Sequence, residues 1–162
     1  MRVDRDDGSI TVLIVGYTAI AIALVVAGID ISKVFLAERA LSSAADAAAV
    51  EAAEGVDTGR IYDGPDLECG KSLPLDPDRA AAMARESVEE RSPDLGRAFR
   101  RLDAPDTTVD GTTVTVAMHG EVQVPFGRLL EWLGLSSDGT VAVADTAHAT
   151  SPVAGTAAAC HG

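Results

Sequence analysis

The sequence predicts an α+β protein. A long N-terminal transmembrane helix continues into an extracytoplasmic helical rod, followed by a small head of short helices and a mostly antiparallel β-sheet. Three observations predict it. Ile10–Ile29 is a run of twenty residues without a charge. Apolar side chains then recur at helical spacing, with no Gly or Pro between Ile29 and Glu54. From Asp106 the period changes to two, that of a strand with one buried face.

As a helix, the uncharged run reaches about 30 Å, the thickness of a bilayer's hydrocarbon core. A helix also satisfies its own backbone hydrogen bonds, which lipid cannot do. Ile10, Val12, Leu13, Ile14, Val15, Ile20, Ile22, Leu24, Val25, Val26 and Ile29 supply the anchor, and charge resumes at Asp7 and Asp30. A cleaved signal peptide is the competing reading. Its apolar region is usually shorter, about 7–15 residues, with a basic start, although Ala19, Ala21 and Ala23 offer small residues for a peptidase. A core helix of this length without a polar face is rare in so small a chain. The expected division is a tail at 1–8, a span at 9–29, a rod at 30–55, a head at 56–150 and a flexible tail at 151–162. Arg2 and Arg5 on one flank, against Lys33 and Arg39 on the other, favour a cytoplasmic N-terminus by a thin margin.

The net charge of −12 argues against nucleic acid and against a polybasic grip on anionic lipid. Apolarity comes mainly from Ala and Val, which fill little volume, so an elongated shape is expected rather than a deep pocket. Cys69 and Cys160 allow one intramolecular disulfide if the head is extracytoplasmic. It would close a loop of about 90 residues. Two unpaired thiols are the alternative, and neither Cys sits in a CxxC motif.

In the rod, Val34, Ala37, Leu41, Ala44, Ala45, Ala48 and Ala52 share one face, while Lys33, Arg39, Ser42, Ser43, Asp46, Glu51 and Glu54 cover the other. Ala40, Ala44, Ala48 and Ala52 recur every four positions, a small-residue spacing suited to close packing on a partner helix. Ala37, Leu41, Ala44, Ala48 and Ala52 form the expected packing stripe; helix propensity and base composition are the alternative source of the alanines. Ala is the best helix former, and Gly55 is expected as the C-cap. Val56–Asp76 reads as a loop. Asp76-Pro77 starts a helix that Ser92-Pro93 ends. Leu95, Ala98, Phe99 and Leu102 then suggest a second short helix, with Arg97, Arg100 and Arg101 on its polar face. Val109-Asp110-Gly111-Thr112 reads as a hairpin turn centred on Asp-Gly. Val114, Val116, Met118, Val122 and Val124 form the buried face of the next strand, with Gly120 marking a bulge. Phe126–Leu135 is an amphipathic helix with Leu129, Leu130, Trp132 and Leu133, and Gly139–Thr150 is a last strand.

The stretch Gly8-Ser-Ile-Thr-Val-Leu-Ile-Val-Gly16, followed by Asp30-Ile-Ser-Lys-Val-Phe-Leu-Ala-Glu-Arg-Ala-Leu-Ser-Ser-Ala-Ala-Asp-Ala-Ala-Ala-Val-Glu-Ala-Ala53, resembles the N-terminus of TadE/TadG-like proteins. These belong to the tight-adherence (Flp) pilus-assembly system. Asp30 closing the span, and Ser43-Ala-Ala-Asp46-Ala-Ala48 in the rod, carry the resemblance, which covers about a third of the chain. The C-terminal pattern is similar too: a strand, Pro125-Phe126 with a Leu-rich helix, and a strand of small residues. The resemblance implies a minor pseudopilin-like component of a pilus-assembly or related secretion machine. It would be a single-pass protein of the cell membrane, with its N-terminus cytoplasmic and its head outside. Its partners would be membrane lipid and, through the N-terminal helix, other pilus-assembly or pseudopilin subunits. One departure concerns processing. Prepilins cut by their dedicated peptidase usually carry Glu at the fifth residue after the cut. Leu13 holds that place here, which argues against cleavage between Gly8 and Ser9.

No sequence pattern asks for catalysis. His119 and His148 fall on predicted strands and could be neighbours, but no third metal ligand stands at a recognisable spacing. Cys160-His161 is too short a motif to specify a metal. No GxSxG, HExxH, P-loop or GxGxxG pattern occurs. The expected protein is therefore non-enzymatic, without cofactor or metal, and acts by helix–helix association. The alternative is a secreted or anchored extracellular binding module unrelated to pili.

Overall fold

In the computed structural model, residues 7–63, 72–127 and 139–152 are described. The helical pattern runs unbroken as α1 (Asp7–Ala52), whose 46 residues reach about 70 Å. Gly8 and Ser9 lie inside this helix. Its end tightens, the N–H groups of Glu54 and Gly55 bonding to carbonyls three residues back. Gly55 does not take the positive φ of a left-handed C-cap. Glycine is needed there for a different reason: a Cβ would stand 2.9 Å from the backbone nitrogen of Ala80, where the chain returns alongside.

The stretch expected as a loop contains a short helix, α2 (Thr58–Asp63). The Asp57 carboxylate accepts from the Arg60 N–H at 3.1 Å and so caps its first turn. Helix α3 (Pro77–Ala98) begins where expected, the Asp76 side chain accepting from the N–H groups of Asp78 and Arg79. It does not end at Ser92-Pro93 but continues through Pro93. The proline removes one hydrogen bond to the Glu89 carbonyl, yet Glu89, Ser92 and Pro93 all face solvent, where water can replace it. On the opposite side Val88 and Leu95 are buried and tie both turns to the core. The second short helix is therefore absent as such. Phe99 is an extended C-cap, and Leu102 lies in a strand.

Strands β1 (Arg101–Leu102), β2 (Asp106–Asp110), β3 (Thr113–Gln123) and β4 (Thr140–Thr150) form one antiparallel sheet. β3 is central: β4 pairs with one edge over its whole length, and β1 and β2 share the other. The β2–β3 hairpin pairs Asp110 with Thr113, so its two-residue loop is Gly111-Thr112, one residue later than the sequence suggests. Gly111 has φ of 61° and Thr112 does not have positive φ, the pattern of a type II′ turn. Gly120 marks no bulge, because the β3–β4 register passes it without a slip. The Phe99 ring lies over it instead, and a Cβ would meet that ring at 2.6 Å.

The sheet packs one face onto α1 and α3. Val114, Val116, Met118 and Val122 of β3, with Val143 and Ala147 of β4, join Leu41, the alanines of α1 and Phe99 in one core. Helix α3 returns along α1, its first turn beside Gly55 and its last beside Lys33, Leu36 and Ala37. Ser151, expected in a flexible tail, is buried; its N–H bonds to the Thr112 carbonyl and its hydroxyl to the Leu73 carbonyl. Cys69, Cys160, His161 and the Leu- and Trp-bearing part of Phe126–Leu135 lie outside the described residues.

Candidate functional site

Helix α1 presents two different surfaces in succession. From Ile10 to Ile29 its large apolar side chains are exposed, Leu13 at 66% and Leu24 at 69%, apart from the half-buried Val26. This part is long and apolar enough to cross a membrane, and it is not buried against the other described residues. Eleven Ile, Leu and Val residues there correspond to about 3–7 kcal/mol in favour of insertion on a translocon scale. The Thr18 hydroxyl donates to the Ile14 carbonyl at 2.8 Å, so this polar group is satisfied without water. Gly16 and Gly28 have open space around them.

Burial begins abruptly at Asp30, which is 6% exposed. Its carboxylate accepts a hydrogen bond from the backbone N–H of Phe126 at 3.3 Å. A charge-assisted bond of this kind partly offsets the desolvation of the carboxylate. It also joins two segments far apart in sequence: the close of the apolar run and the Pro125-Phe126 corner after β3.

The small-residue stripe is used within the chain. Ala44 is 2% exposed, and Leu41, Ala48 and Ala52 are fully buried with Ala37 in the core shared with α3 and the sheet. Small side chains let helix backbones approach closely, and here the chain's own α3 and strands occupy that face. The stripe is therefore not free to meet a partner helix, as the sequence reading supposed. Beyond the apolar run, α1 leaves Ile31, Phe35, Leu36 and Val50 exposed.

Two cavities flank α1 just after the run. One, of about 590 Å³, lies between α1 and the end of α3 and is lined by Lys33, Arg97 and Arg100 together with Leu36, Phe99 and Val122. Arg97 pairs with Asp94 at 3.2 Å, and Arg101 pairs with Asp103 at 3.3 Å. The other, about 340 Å³, is an apolar groove between Ile31, Val34 and Phe35 of α1 and Val124 and Val141 of the sheet.

His119 and His148 are not brought together. His148 is paired with Thr115, four residues before His119 along β3, and its Nδ1 is 2.8 Å from the Thr115 hydroxyl. Among the described residues, no three His, Cys, Asp or Glu side chains are grouped to hold a metal ion. Sequence reasoning missed the Asp30–Phe126 contact and the meeting of Lys33 with Arg97 and Arg100. Asp30 gave a signal for the first, being the charge that closes the apolar run. The second depends on how α3 returns along α1, which no local pattern states.

Residues 8–57 match the Tad family, described as Flp pilus-assembly TadE/G-like. No curated protein and no solved structure matches the chain.

Proposed function

We propose that the protein is a non-enzymatic, membrane-anchored, minor pseudopilin-like component of a Tad/Flp-type pilus-assembly or related secretion system. The observation that carries the reading is the division of α1 at Asp30. Before it lies an apolar helix surface that none of the other described residues covers, and after it the same helix is the spine of a folded head. A pilus-related role is supported by the match of residues 8–57, which spans this junction. The apolar run anchors the protein with its N-terminus in the cytoplasm and its head outside. Association with other subunits uses the outer surface of the run, continued by Ile31, Phe35 and Leu36, since the alanine stripe is occupied.

The test is membrane extraction combined with pull-down from crosslinked native membranes. The chain should stay in the pellet through a carbonate wash and bring down other pilus-assembly subunits. F35Q/L36Q should lose those subunits while the head stays folded. Release into the wash, or a mature chain cut near Ala23, would overturn the anchor and leave the signal-peptide reading.

A further inference from the structure

We propose that the cavity lined by Lys33, Arg97 and Arg100 seats the phosphate of an anionic phospholipid headgroup; this rests on the anchoring proposed above. Position is the first ground. Lys33 is four residues past Ile29, about 6 Å further along the helix. The headgroup layer extends roughly 5–8 Å beyond the hydrocarbon on each side. The helix therefore carries Lys33 into the layer where phosphates lie, and α3 brings Arg97 and Arg100 back to the same level.

Charge is the second. In a chain of net charge −12, three cations gather at the end of the head next to the apolar run. Carboxylates stand at the same end too: Asp94 pairs with Arg97, Asp30 holds the Phe126 N–H three residues before Lys33, and Glu121 is close enough for its carbonyl to accept from the Arg100 backbone N–H. The sequence total, which argues against a grip on anionic lipid, does not register the grouping of the three cations around one cavity. Lys33 and Arg100 pair with no carboxylate among the described residues. Arg97 has Asp94, but both side chains are more than four-fifths exposed. Such a surface pair contributes little and can yield to a phosphate. Two guanidiniums and an ammonium suit phosphate oxygens, which guanidinium can hold bidentately.

The apolar lining is the third. Phe99 and Val122 line the cavity and are buried. A free anion has no use for such a lining, whereas the glycerol and upper acyl carbons of a lipid do.

The full-length protein is reconstituted into nanodiscs of phosphatidylcholine alone, or with phosphatidylglycerol at three to one. Retained lipid is counted by native mass spectrometry. The wild type should retain phosphatidylglycerol selectively. Each cation near an anionic surface is worth about fivefold, so K33Q/R97Q/R100Q should lose at least about tenfold, allowing for Asp94. R79Q/R85Q, on the earlier part of α3, should match the wild type. Circular dichroism checks that each variant is folded. Equal retention by the folded triple variant overturns the site. Displacement of the lipid by inorganic phosphate assigns the site to a free anion and overturns the lipid. A chain that never enters the discs overturns the anchor and this proposal with it. A chain that enters but shows no selectivity overturns this proposal alone.

Discussion

Replacing Ala48 with Leu separates the two uses an alanine stripe could have. Ala48 is fully buried between α1, α3 and the sheet, and its neighbour one turn earlier, Ala44, is 2% exposed. Leucine adds three carbons where the chain leaves no space. Overpacking of this kind costs about 1–3 kcal/mol per site. Ala44 and Ala48 lie one turn apart in the same core, so the double variant will not be simply additive. A domain of this size holds roughly 5–15 kcal/mol in all, so A48L lowers stability measurably and A44L/A48L can unfold the head. The assay is urea unfolding of the full chain in mild detergent, followed by far-ultraviolet circular dichroism. The detergent-covered part of α1 stays helical, so the change reports the head. With a urea slope of about 1–3 kcal/mol per molar, the A48L midpoint should fall by roughly 0.5–2 M. V50A, at a position 60% exposed, should stay within about 0.5 kcal/mol of wild type. The reasoning fails if A48L unfolds at the wild-type midpoint yet no longer brings down other subunits.

The other expectations use the same unfolding assay. G120A places a methyl 2.6 Å from the Phe99 ring and should cost about 1–3 kcal/mol; in an F99A background the same change should cost much less, and equal costs would refute the contact. P93A restores a backbone donor within α3 and should raise stability by up to about 3 kcal/mol, and the midpoint with it; a lowered midpoint would mean the helix breaks there after all. D30A strands the Phe126 N–H and should cost roughly 1–3 kcal/mol, with faster hydrogen exchange at Phe126. D30N keeps an acceptor oxygen and should cost less; equal losses would argue against the bond.

What could be read in advance depended on how local its cause was. The apolar run, the Asp76-Pro77 cap and the alternation from Val114 to Val124 are each specified within a few residues, and each forms as expected. The errors came where tertiary contacts outweigh a local rule. Pro93 stops a helix in isolation, but Val88 and Leu95 hold α3 to the core on either side of it. Gly120 and Gly55 suggested a bulge and a left-handed cap, yet both are glycines because another part of the chain comes too close for a Cβ. The turn at Gly111 was placed one residue early because Asp-Gly and Gly-Thr both fit a tight hairpin, and only the β2–β3 pairing decides between them. The alanine stripe is buried in the core of its own chain, but sequence does not say whether the elements that cover such a face come from the same chain.

That last ambiguity has a mechanical consequence. If the stripe faced other subunits, α1 beyond Asp30 would be a bare stalk carrying a distant head. Because α3 and the strands occupy it, the head begins at the first residue after the apolar run and shares its backbone with that run. Asp30 and Phe126 fasten the corner after β3 at that same level. Under the proposed anchoring, the head therefore stands on the bilayer with no flexible link between them. A partner gripping the helix within lipid then turns the head rigidly, and a contact on the head is felt along the helix. Inserting residues within Ile10–Ile29 should rotate the head relative to bound subunits by about 100° per residue. Association measured by crosslinking should then vary with helical period, recovering near four added residues and lost near two. A smooth decline with insert length would show instead that head and anchor act independently.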